Sequence, residues 1–88
     1  MTAAEDLAAT LRALDHGANT ARHDEVRLVL RAHHTMGAML LAVMQDPTLA
    51  VFAAEDWDRM SRAILLAAID DGLVDMTAHH QAEQERDT

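Results

Sequence analysis

Six histidines are the residues here best suited to chemistry, and four of them come as adjacent pairs, His33-His34 and His79-His80. Neighbours on a helix point about 100° apart, so one metal ion cannot take both; two ligands on one helix need a spacing of three or four residues. At that spacing His33 meets Val29, Leu30, Met36 and Gly37, and His34 meets Leu30, Arg31, Gly37 and Ala38. None is a hard ligand, so His33 reads as a buried or interface imidazole and His34 as a solvent-facing one. The second pair is better placed. Asp75, His79 and Glu83 follow one another every four residues and could form a shallow divalent-cation site. The same row is also an ordinary solvated helix face, and a lone helix near a chain end holds ligands poorly. No HxxxH, ExxH or HExxH occurs, so the diiron-bundle and zincin spacings are missing.

Nucleophilic chemistry has little to draw on. There is no cysteine, and the one serine, Ser61, falls in a helical stretch with no histidine nearby in sequence. Gly17, Gly37 and Gly72 are too far apart to form a phosphate-cradling loop. The expectation is therefore a non-enzymatic chain without a cofactor.

The elements that must position these residues are helices. All seven basic residues are arginine, tyrosine is missing, and tryptophan and phenylalanine occur once each. Ala, Leu, Met, Arg, Glu and Gln, the strong helix formers, dominate. An all-α chain follows. Thr2 with Glu5 reads as a capping box opening a first helix, which Gly17 would close with a left-handed cap. GANT, residues 17 to 20, reads as a turn with Asn19 or Thr20 capping the next helix, and nothing breaks that helix before Asp46-Pro47. Beyond Pro47 the spacing predicts a short helix, a bend near Ala54 to Asp56, and a helix with Trp57, Met60, Ile64, Ala67 and Ala68 inward, ended by Gly72 with Leu73 as its apolar contact. A last short helix would start near Asp75, with a polar tail fraying from about 84.

The reading is a single-domain bundle of four to five helices over residues 1–88, built around a long central helix from about 20 to 45. Such a helix is about 39 Å long, whereas a globule of this size is only about 31 Å across. Its C-terminal half holds MGAMLLAVM from residue 36, which is apolar on nearly every side and must be covered all round. A second copy would cover it. The expected dimer interface is His33, Met36, Gly37, Met39, Leu40, Val43 and Met44.

The formal charge of −8 opposes approach to nucleic acid or an anionic membrane. It favours a basic protein partner, with Glu55, Asp56 and Asp58 as the candidate contact, and one version is an inhibitor imitating nucleic-acid charge. Helix-DDGLVD-helix could suggest a DNA reader, but the following segment carries one arginine against four acids when Asp75 is counted with it. The lack of cysteine, of a basic leader and of any 18-residue apolar run fits a cytoplasmic chain. The expected function is an acidic interaction module, an adaptor, assembly factor or inhibitor, acting as a homodimer. A histidine-using metal protein and an atypical DNA-binding regulator are the alternatives.

Overall fold

Thr2 opens the first element by accepting a hydrogen bond from the Glu5 backbone N–H at 3.2 Å. In this computed structural model, which describes residues 2–75, three helices follow: α1 (Ala3–Thr20), α2 (Asp24–Val43) and α3 (Pro47–Asp70). No strand occurs among the described residues, and none of their helices is long and apolar enough to cross a membrane. The further helix expected from Asp75, the tail from 84, and His79, His80 and Glu83 lie outside the described residues.

α1 does not stop at Gly17. It continues to Thr20, whose hydroxyl donates to the carbonyls of His16 and Gly17. Gly17 is buried within the last turn of the helix, and a Cβ there would sit 2.9 Å from Leu65 Cδ1 and 3.5 Å from Leu30 Cδ1. The glycine allows three elements to approach closely; sequence cannot distinguish that use from a cap, because both ask for a missing side chain.

α2 accordingly starts at Asp24, with His23 at the N-cap making no side-chain capping bond. Asp24 and Glu25 instead place negative charge at the positive end of the helix dipole. Its 20 residues span about 30 Å. The molecule measures 37 × 36 × 18 Å, so the helix fits inside its domain and the expected overshoot is not found.

Asp46 and Pro47 begin α3 as the sequence indicates, with Asp46 Oδ1 accepting from Thr48 N–H at 2.9 Å. No bend interrupts the helix near Ala54 to Asp56. Ala54, Trp57, Ser61, Leu65 and Ala68 repeat every three or four residues and form one buried stripe. Met60 and Ala67, expected inward, face solvent, because Ser61 and Leu65 hold the centre of that stripe. Gly72 ends the helix at φ 72°. The Gly72 N–H donates to Ile69 O and the Leu73 N–H to Ala68 O, the two bonds of a Schellman motif.

α1 lies across both other helices. Leu7, Leu11, Leu14 and Ala18 meet Leu30 of α2 and Trp57 and Leu65 of α3 in one core. The end of α3 is tied back to the α1–α2 connection: Arg22 N–H donates to Leu73 O at 2.8 Å, and Val74 is buried beside Gly17.

Candidate functional site

Three polar groups meet in the core where α2 crosses α3. His33 Nδ1 lies 3.3 Å from Ser61 Oγ, and the His33 and Trp57 rings are 6.0 Å apart at 46°. The fold thus supplies Ser61 with the histidine that its sequence neighbourhood lacks. The pair is no nucleophile in this geometry: Ser61 has no exposed surface, so no substrate atom can reach its oxygen. Its role here is to satisfy a buried hydroxyl. Trp57 Nε1 is buried and meets no acceptor among the described residues.

Metal-ligating chemistry finds no cluster. Among the described residues no three His, Asp or Glu side chains converge. Asp75 is exposed, and its expected co-ligands His79 and Glu83 lie outside the described residues.

The acids expected to meet a basic partner divide between two uses. Asp58 accepts a hydrogen bond from the Thr10 hydroxyl of α1 and pairs with Arg62 at 2.9 Å, its side chain only 16% exposed. It is a tie between helices. Asp56 is 4.0 Å from Arg59, and both are almost fully exposed; Glu55 is exposed beside them. Arg59 and Arg62 therefore sit beside the three acids and offset part of their charge.

The expected dimer-interface residues also separate. Gly37 is buried inside the chain: a Cβ there would come within 2.6 Å of both the Trp57 ring and Leu11 Cδ2. Leu40 and Met44 pack against the core, and His33 is half-buried on Ser61. Met36, Met39 and Val43 remain outside, 60%, 63% and 70% exposed. Leu28, at 71%, and Ala32 join them. At 100° per residue, Leu28, Met39, Ala32, Val43 and Met36 fall within an arc of about 80°, on the side away from Gly37 and Leu30. α2 thus carries two apolar faces and uses one.

That second face is the main unspent feature of the described chain. The sequence pattern groups Leu28, Ala32 and Met39 with Leu41 on a second side of this helix; the structure keeps the first three outside and packs Leu41 against the core. Two shallow grooves between α2 and α3 flank the exposed face, one lined by Val29, Ile64 and Ala67 with Glu25 and Asp71 at its rim, the other by Leu40, Val43, Leu49 and Ala53. Compared with family models, curated proteins and solved structures, the chain matches none.

Proposed function

We propose that this chain is a non-enzymatic, acidic helical interaction module that works as a homodimer, as an adaptor, assembly factor or inhibitor of a protein partner. One observation carries the reading: the outward face of α2, from Leu28 to Val43, is apolar and exposed along its length. Singly scattered exposed apolar residues are ordinary, but a contiguous stripe marks a surface that associates.

A net charge of −8 would then steer a basic partner toward the dimer, with Glu55 and Asp56 exposed to meet it.

Light scattering at tens of micromolar tests the reading. A mass near twice 9.7 kDa is expected. A folded monomer at that concentration would overturn it.

A further inference from the structure

Resting on the homodimer reading, we propose that two copies pair through α2 in antiparallel orientation, with the two-fold axis beside Thr35 and Met36. Leu28 then faces the partner's Val43, and Ala32 faces the partner's Met39.

The choice of α2 over α3 comes from charge. Between residues 28 and 43 no ionisable side chain falls on the outward arc of α2, and Thr35, about 20° beyond its Leu28 edge, is the nearest polar residue. α3 also exposes Leu49, Phe52, Met60 and Leu66, but Asp56, Arg59 and Asp70 stand exposed among them. A charge at the centre of an interface must be desolvated and paired, whereas an uncharged stripe carries no such cost. The same lack of charge disfavours a basic helix as the occupant, since the arc offers nothing to hold its cations.

The orientation comes from symmetry and electrostatics together. A two-fold interface must be complementary to itself. The stripe reads Leu28, Ala32, Met36, Met39, Val43, with its branched aliphatic groups at the ends and its methionines between. Laid against its own reverse, it overlaps fully when its midpoint, at Thr35 and Met36, lies on the axis. The small Ala32 then receives a methionine, whose flexible side chain fills irregular gaps well. A parallel pair would gather Asp24 and Glu25 of both copies at one end and align the two helix dipoles; the antiparallel pair divides the acids between opposite ends and opposes the dipoles.

The chain contains no cysteine, so every introduced thiol reports one position. A disulfide needs Cα atoms within about 7 Å, which helices in contact reach only at facing positions. Full-length Met36→Cys and Thr35→Cys, oxidised with glutathione disulfide, are expected to form covalent dimers, and Leu28→Cys or Val43→Cys alone is not. An equimolar mixture of the last two should yield the mixed Leu28→Cys/Val43→Cys dimer. Arg12→Cys, on the exposed side of α1, measures collisional cross-linking, which the interface pairs should exceed at least tenfold. Circular dichroism checks that each variant keeps its helix. Self-linking of Leu28→Cys and of Val43→Cys would show a parallel pair and overturn the proposal, as would linking of Met60→Cys but of neither variant at 35 and 36. In either case wild-type light scattering still reports a dimer, so the homodimer reading survives; a monomeric wild type removes both.

Discussion

Gly37 of α2 packs against the indole of Trp57 of α3. A Cβ built on Gly37 would stand 2.6 Å from Trp57 Cη2 and Cζ2, and equally close to Leu11 Cδ2 of α1. One missing side chain therefore sets how closely all three helices approach, and the one tryptophan fills the space.

Gly37→Ala should destabilise the fold although alanine is the better helix former. The propensity gain is about 1 kcal/mol, whereas overpacking a close-packed site costs about 1–3 kcal/mol. The indole is rigid and buried, so the steric cost should win, with Tm falling by several degrees. Gly17→Ala should cost less, since its sole contact under 3.0 Å is the terminal methyl of Leu65. Paired thermal melts check the ranking; a Gly37→Ala chain as stable as wild type would mean that the indole moves freely.

Asp58 and Asp56 should behave differently despite sitting two residues apart. Asp58→Ala removes the acceptor of the Thr10 hydroxyl and the partner of Arg62, and should cost about 1.5–3 kcal/mol, the contribution of a hydrogen bond to a charged group. Asp56→Ala breaks a 4.0 Å pair in open solvent and should leave stability unchanged within about 0.5 kcal/mol. Urea titration of the two variants distinguishes them.

Met39→Glu should separate the copies without unfolding either. Met39 is 63% exposed in the single chain, so the carboxylate remains hydrated in a monomer, but closing the proposed interface would bury it without a partner at a cost of several kcal/mol. The expected result is a 9.7 kDa particle with undiminished helicity. Leu40→Glu, whose side chain packs on the core, should lower Tm as well. A dimer that tolerates Met39→Glu would place the interface elsewhere.

Salt should act in opposite directions on the two proposed associations. Two chains of net charge −8 repel, so added salt should tighten the dimer by screening. Binding of a basic partner should weaken instead, chiefly through slower association. Charge reversal at Glu55 and Asp56 should slow that association and leave the dimer intact; Asp58 is omitted because its loss would disturb the fold. Sedimentation and association kinetics at about 50 and 500 mM salt, on either side of physiological screening, provide the check.

Composition and spacing by themselves determined the helical class, the Thr2 and Asp46-Pro47 starts, and the Gly72 stop. These are local matters: propensity, a capping oxygen within three residues and a left-handed glycine act inside one turn of chain. Sequence also shows that MGAMLLAVM is apolar all round. What it left open depended on distant residues. Gly17 continues a helix because Leu65 and Leu30 need its space. Ser61 rather than Met60 faces the core because His33 of α2 meets it there. Asp58 became a tie because Thr10 of α1 stands opposite. Above all, periodicity gave α2 two candidate apolar faces without ranking them. Only the packing of α1 and α3 onto Leu30 and Gly37 decided which was used within the chain and left Leu28, Met36, Met39 and Val43 outside.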